Sequence, residues 1–372
     1  LLTFPLLLQW NGGGFQALQG AAACYDTPGL VTTPIIPFGI VDFVPITLFN
    51  LQSTPVAGGT QVQLNVNWAS YSSYLDNPVD NILFFDFNAN PLNAWMENGS
   101  AFTSTNSVIF VKLGSGGIPA FSSTTIYMGF YAKGSNVLNK NGPWGEASQL
   151  TSSYGQYDDG ATVFTYYNNG ETAPTNFNVV QGGTISLLPQ MNPYGQTSNV
   201  LALTGQGTGT DTVAYVNQPV TGDNFIMEGW VNIGPNLNAL YAVRGPSSSV
   251  QNNYLIGDGW GGREATINYI TSSTNNNLAS QGSRATGWFW NTAIVSGTSL
   301  TDSIYNNAPE LGGQVQASTS TTDSTLPGSN QYLGLATWAG SPGAAYFFQF
   351  RARILPPNNV MPTPFFGSVI VG

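Results

Sequence analysis

Apolar residues recur at every second position through much of this chain. In Val62-Gln-Leu-Asn-Val-Asn-Trp68, Val62, Leu64, Val66 and Trp68 fall on one side and Gln63, Asn65 and Asn67 on the other. That period is the mark of a half-buried antiparallel strand. The same alternation predicts strands over 44–50, 81–87, 107–113, 124–131, 224–233, 264–270, 287–295 and 345–354. No stretch sustains the 3.6-residue apolar period of a packed helix. Between the strands stand clusters such as Val56-Ala-Gly-Gly59, Gly114-Ser-Gly-Gly117 and the polar tract Thr271-Ser-Ser-Thr-Asn-Asn-Asn277, which read as turns and loops. With 44 Gly and 23 Pro as punctuation, this pattern predicts an all-β chain built of jelly-roll-like sandwiches rather than an α/β enzyme core.

A length of 372 residues suggests two domains. The Gly/Asp-rich stretch Tyr154-Gly-Gln-Tyr-Asp-Asp-Gly-Ala161 precedes a new run of strands. The expected division is therefore an N-terminal extension over 1–38, a β-sandwich over 39–160 and a second sandwich over 161–372.

Charged residues make up only 7% of the chain, and Asp plus Glu outnumber Lys plus Arg by 18 to 8. Nothing here would neutralise a row of phosphates, so nucleic acid is excluded as a partner, and no basic stripe exists to hold an anionic membrane. There is no histidine and a single cysteine, Cys24. That removes His-based triads, His/Cys zinc sites, CxxC redox centres and internal disulfides together. Cys24 reads as a buried apolar thiol. The chain begins at Leu1 with its first methionine at Met96, which predicts a mature exported chain whose signal has been removed. The apolar run Leu1–Trp10 is too short for a transmembrane helix and holds Pro5, so no membrane span is expected.

Several strand motifs look familiar. Val44-Pro-Ile-Thr-Leu-Phe-Asn50, Asn81-Ile-Leu-Phe-Phe-Asp-Phe87, Asn93-Ala-Trp-Met-Glu97, Val108-Ile-Phe-Val-Lys-Leu113, Gly117-Ile-Pro-Ala120 and Thr124-Thr-Ile-Tyr-Met-Gly-Phe130, with Gly145-Glu-Ala147 and Tyr157-Asp-Asp-Gly160, resemble an uncharacterised β-domain family of exported archaeal proteins. In that family the domain is often followed by a concanavalin A-like, laminin-G-like sandwich. Asn224-Phe-Ile-Met-Glu-Gly-Trp-Val231, Tyr254-Leu-Ile-Gly-Asp258 and the tail from Phe348 to Pro362 look like that second unit. The resemblance implies architecture and an extracellular, cell-surface setting, not an activity.

Catalysis is tested through the carboxylates. A glycosidase needs two acids ~5–9.5 Å apart, yet none of the six Glu residues has a second acid two or four positions away. Asp158-Asp159 are adjacent and read as a solvated turn. The chain is therefore expected not to be an enzyme. Asp223 and Asp258 are weak calcium candidates, since calcium takes ~6–8 oxygens and loop Asp residues supply some of them; the plainer reading is that they cap turns. Otherwise no cofactor is expected. Trp260, Trp288, Trp290 and Trp338 form a candidate sugar-stacking platform against the plainer reading of core tryptophans. Arg351 and Arg353 sit two apart on one strand, opposite Phe348, Phe350 and Ala352, which suggests pairing with Glu228 or Asp258 or else a partly solvated face. Asn98-Gly-Ser100 is a candidate glycosylation site. With so few ionisable groups, stability is expected to change little with pH, and an acidophilic archaeal exterior is the favoured setting.

The N-terminal run points to assembly. Leu1, Leu2, Phe4, Leu6, Leu7, Leu8 and Trp10 load both sides of an extended strand, which would aggregate if left free. Insertion into a neighbouring copy by strand addition would bury it, and head-to-tail insertion does not close on itself; the plainer reading is that it tucks into its own chain's sandwich. Gly12-Gly-Gly14 would serve as the hinge. The expectation is a structural subunit of an extracellular filament, polymerising through this donor strand with identical subunits for adhesion or cell contact. The alternatives are a monomeric surface lectin that binds glycans and an archaeal virus structural protein.

Overall fold

A computed structural model describes residues 8–10, 15–17, 33–170, 174–205, 207, 210–220, 223–233, 238–246, 248–249, 251–259, 263–271, 274–282, 287–326, 331–339 and 343–372. The chain divides into two compact units, Leu1–Ile35 and Ile36–Gly372. In the first unit, Leu8–Trp10 pairs antiparallel with Phe15–Ala17, Leu8 opposite Ala17 and Trp10 opposite Phe15. The end of the expected donor strand thus has a partner in its own chain. Leu1, Leu2, Phe4, Leu6, Leu7, Gly12–Gly14 and Cys24 lie outside the described residues.

The second unit is all β, two sandwiches in one body. The first sandwich opposes a six-stranded sheet, in the order Thr363–Phe366, Ile40–Asn50, Ser122–Tyr131, Ile82–Phe85 and Pro91–Leu92 with Ile370–Val371 also on Ile40–Asn50, to a four-stranded sheet of Trp144–Glu146, Ala94–Met96, Ser107–Lys112 and Gln61–Val66. Alternation fixes which side chains face inward. Val44, Ile46 and Leu48 meet Val62, Leu64 and Val66 in one buried core, and Gln63 and Asn65 point away from it. Trp68 is buried too, although the strand ends at Val66 and Trp68 opens a short 3-10 turn.

The second sandwich is larger. Its eight-stranded sheet runs Thr184–Met191, Thr197–Gly205, Gly343–Ile354, Asn224–Ile233, Gly287–Ser296, Ser299–Tyr305 and Val315–Thr322, with Tyr166–Asn168 added beside Gly343–Ile354. Its seven-stranded sheet runs Phe177–Val180, Thr210–Val220, Gln331–Ala339, Ala239–Gly245, Asn253–Gly259, Arg263–Ile270 and Asn275–Gln281. Leu201, Leu203, Met227, Val231, Phe347 and Phe350 interdigitate with Ala214, Tyr241, Val243, Ile256, Ile267 and Leu335 between them. The polar tract expected as a loop over 271–277 is partly strand, because Asn275–Gln281 forms the sheet's outer edge, where one polar side is tolerated.

Two features position the site. The last strands leave the second sandwich and pair with Ile40–Asn50, so the tail expected in the 161–372 domain belongs to the first sandwich's sheet. Within Gly343–Ile354, the register against Asn224–Ile233 shifts between Glu228/Arg351 and Trp230/Phe348, and Gln349 sits at φ +49°. That β-bulge reverses the side-chain phase. Phe347 and Phe350 both enter the core while Phe348 turns outward beside Arg351 and Arg353, so Phe348 lies on the arginine face and not opposite it.

Candidate functional site

The outer face of the eight-stranded sheet meets the first sandwich, and an arginine is buried between them. Glu228 is directly opposite Arg351 on the neighbouring strand, so a cross-strand ion pair is built into the register. Arg351 donates through Nε to Glu228 Oε1 at 2.7 Å and through an Nη to Glu97 Oε1 at 3.1 Å, and it also pairs with Glu310. Glu97 follows strand Ala94–Met96 of the first sandwich, and Glu310 sits in the turn Pro309–Leu311. Arg353 pairs with Glu228 as well, at 2.8 Å. Four rings, Trp95, Phe110, Phe164 and Trp290, enclose the Arg351 guanidinium at 4.7–5.6 Å from their centroids. The pairing with Glu228 is thus the one the sequence suggested; on the expected partly solvated face, Arg351 is fully buried and Arg353 stays partly exposed.

Charge decides the protonation state. Three carboxyl groups face two guanidinium groups in a dry junction, where an uncompensated charge is expensive. Burial pushes Glu228 up but Arg353 and Arg351 outweigh it, holding Glu228 down at about 2. Burial raises Glu97 well above the usual carboxylate range, against the pull of Arg351 and reinforced by Glu310. Burial and the neighbouring carboxyl groups thus favour the protonated form of Glu97, while the two arginines hold Glu228 ionised. Carboxyl groups from distant strands do converge here, but all three are consumed by Arg351 and buried, leaving no place for a sugar ring between them.

A cleft of about 470 Å³ opens beside this junction, lined by Pro193, Tyr194, Trp230, Asn306, Asn307, Leu311 and Gly312. The turn Pro309–Leu311 serves both places, since Glu310 reaches Arg351 while Leu311 lines the cleft. Tyr194 stands edge-on to Trp230 at 6.1 Å, and Trp230 edge-on to Trp290 at 5.7 Å. Trp230 Nε1 donates to the Tyr194 hydroxyl at 3.4 Å, which donates to Gln349 Oε1 at 3.0 Å. Burial pushes the Tyr194 phenol up, so it is neutral at any ordinary pH. The Asn307 side-chain oxygen accepts from the Ala308 N–H and that of Asn306 from the Gln314 N–H, which orients both amide groups. The lining is aromatic and amide, with no carboxylate, lysine or arginine in it.

The other expected residues fare variously. Asp158 and Asp159 are buried, not solvated. Asp158 accepts from Trp95 Nε1 at 2.9 Å, the Tyr167 hydroxyl at 2.9 Å and Asn169 Nδ2 at 2.5 Å, and burial raises both acids. Asp223 is exposed before strand Asn224–Ile233, whereas Asp258 is buried within Asn253–Gly259 rather than in a loop. No three acidic, His or Cys side chains converge as a metal site among the described residues. Of the expected platform, Trp290 is fully buried as a wall of the arginine cage, Trp288 donates to the Met191 carbonyl at 2.7 Å, Trp338 is half-buried, and Trp260 lies outside the described residues. Trp230, itself buried, lines the cleft. Asn98 is half-buried and its side-chain oxygen accepts from the Val108 N–H at 2.7 Å. Glu97, Glu310, Tyr194, Asn306 and Asn307 were not anticipated as a group; for Glu97 and Glu310 the scarcity of glutamate was the sole hint, because they reach Arg351 across 254 and 41 residues.

No family model matches the chain. It is 28% identical over 354 residues to uncharacterized protein 562 of Sulfolobus islandicus rod-shaped virus 1, an alignment that covers 88% of this chain and 60% of the viral protein. Among solved structures, the VIP36 exoplasmic/lumenal domain bound to Ca2+ and Man3GlcNAc overlays with a TM-score of 0.35 at 13% identity, covering 53% of this chain and 99% of that one. The carbohydrate-binding module CBM66 from Bacillus subtilis gives 0.34 at 15% identity, with 48% and 96% covered. No helix among the described residues is long and apolar enough to cross a membrane.

Proposed function

We propose that this protein is a non-enzymatic surface module that recognises neutral carbohydrate through the Tyr194–Trp230 cleft. The observation that carries this reading is the lining itself. A pyranose offers an apolar face and a rim of hydroxyls, and the cleft offers Tyr194, Trp230 and Leu311 beside the oriented amides of Asn306 and Asn307. The lack of a charged group in the lining favours an uncharged sugar over a phosphorylated or acidic one. The relative is a protein of a rod-shaped virus, which is in keeping with a viral setting for this chain.

The test is a glycan array at acidic pH followed by calorimetric titration of the best neutral hit. The double substitution N306A/N307A is expected to weaken binding at least tenfold with the thermal midpoint unchanged, and a chelator is expected to have no effect. Undiminished binding by that variant, or no binding of any neutral glycan, would exclude the cleft.

A second reading is self-assembly, the protein acting as a structural subunit whose segment Leu1–Trp10 inserts into a neighbouring copy. It is supported by the apolar loading of that segment on both sides and by the apolar outer surface of the first sandwich. The two readings are compatible, since a filament or capsid subunit can carry a glycan site.

A further inference from the structure

The six-stranded sheet of the first sandwich is apolar on both faces. Its inner face packs the core. On its outer face, where an antiparallel sheet in water usually carries polar side chains, Phe43, Phe85 and Tyr127 form a ring cluster with centroids 5.3–6.4 Å apart, covered by Ile36 and Ile40. The cover is short. On either side of it the face stays open: Phe365 is 66% exposed, and Phe49 and Ile370 are exposed too. Phe365 pairs with Thr47 and Ile370 with Phe43, so these positions share one continuous surface. Exposed apolar patches of this kind mark interaction sites.

The sheet's edge is a poorer target than its face. Pro364, opposite Leu48 in the edge strand Thr363–Phe366, has no N–H to give an added strand. A partner is therefore expected to lie across the face. We propose that this face docks the N-terminal segment Leu1–Trp10 of a second copy of the chain. The occupant rests on the assembly reading above; the location is new to it. The chain enters this unit at Ile36, on this very face. With Leu8–Trp10 held against Phe15–Ala17, the 18 residues between Ala17 and Ile36 can span at most about 60 Å, enough to carry the segment to a neighbour. A segment apolar on one side alone would be content between the sheet and water. Leu1–Trp10, apolar on both, also needs cover on its far side, which a growing assembly provides.

Three forms of the full chain separate the claims by sedimentation velocity and electron microscopy at acidic pH: the wild type, a chain lacking residues 1–10, and the double substitution F365D/I370D. Circular dichroism and thermal melts check that each is folded. The wild type is expected to form species larger than a monomer, and both altered chains to remain folded monomers. A synthetic Leu1–Trp10 peptide with a solubilising lysine tail is expected to bind the shortened chain and to lose at least tenfold in affinity when F365D/I370D is added. Assembly lost on shortening but kept by F365D/I370D would overturn the docking face and leave the assembly reading standing. A wild type that is monomeric at high concentration, with no peptide binding, would overturn both. Should F365D/I370D unfold the chain, the single surface change F365D replaces it, with the same expectation.

Discussion

Glu97 is the residue on which the junction's electrostatics turn. Removing one partner from a buried ion cluster is costly, about 3–5 kcal/mol when the charge left behind is uncompensated. Glu97 should escape that penalty in acid, because burial favours its neutral, protonated form. The substitution E97Q, nearly isosteric with a protonated glutamate, is expected to leave the thermal midpoint at pH 4 unchanged within about 2 °C. R351M at the same pH should lower it by many degrees, since three carboxyl groups lose their shared partner. Differential scanning calorimetry of the two variants checks this, and a large loss for E97Q at pH 4 would assign the proton elsewhere. At this scale the sequence was partly legible. The spacing of Arg351 and Arg353 announced a pairing, and Glu228 was among the partners named. Asp158 and Asp159 misled, because two adjacent acids near glycine look solvated until Trp95 and Tyr167, from distant segments, close over them.

Strands were the most legible elements. The strand expected over 224–233 matches Asn224–Ile233, and several others agree within a few residues, because each has one wet and one dry side. Some of those missed, such as Thr184–Met191, Val315–Thr322 and Asn275–Gln281, lie at the sheet margins, where Thr, Ser and Asn can occupy either side and alternation fades, whereas the interior strand Ala239–Gly245 is buried along its whole length and has no polar side to alternate with. The bulge at Gln349 was also invisible, since a phase reversal in the middle of an apolar strand leaves no compositional trace. The return of Thr363–Phe366 to Ile40–Asn50 is a long-range pairing of the kind no local pattern reports. Its removal has a definite consequence. A chain ending at Met361 is expected to expose the whole edge of Ile40–Asn50, lose the packing of Phe366 on the first core, and aggregate from a folded second sandwich. Light scattering, together with hydrogen exchange showing deprotection confined to 40–131, would bear this out; a soluble shortened chain with unchanged protection would refute it.

For the molecule as a whole, sparse charge does not mean indifference to pH, contrary to what the composition suggested. Burial pushes Glu146 and Asp302 up to about 7 and Asp211 up to about 6, and it raises Asp158, Asp159 and Glu97 as well. Each is easier to protonate folded than unfolded. The stability they contribute is therefore fully present below about pH 4 and is lost as the pH climbs through the folded values near 6 to 7. For Asp302 alone the shift corresponds to something on the order of 4 kcal/mol. The thermal midpoint is expected to be highest near pH 3 to 4 and to fall steadily toward pH 8, with E97Q and D302N each flattening the decline; a midpoint that rises toward neutrality would contradict it. The strand return has a mechanical meaning besides. Gly372 donates its N–H to the Val41 carbonyl at 3.0 Å, so the two ends of this body lie side by side. Tension applied between them would open the terminal ladder one rung at a time, like a zip, at low force. The tail is then a fuse, and the second sandwich feels no pull until it has parted.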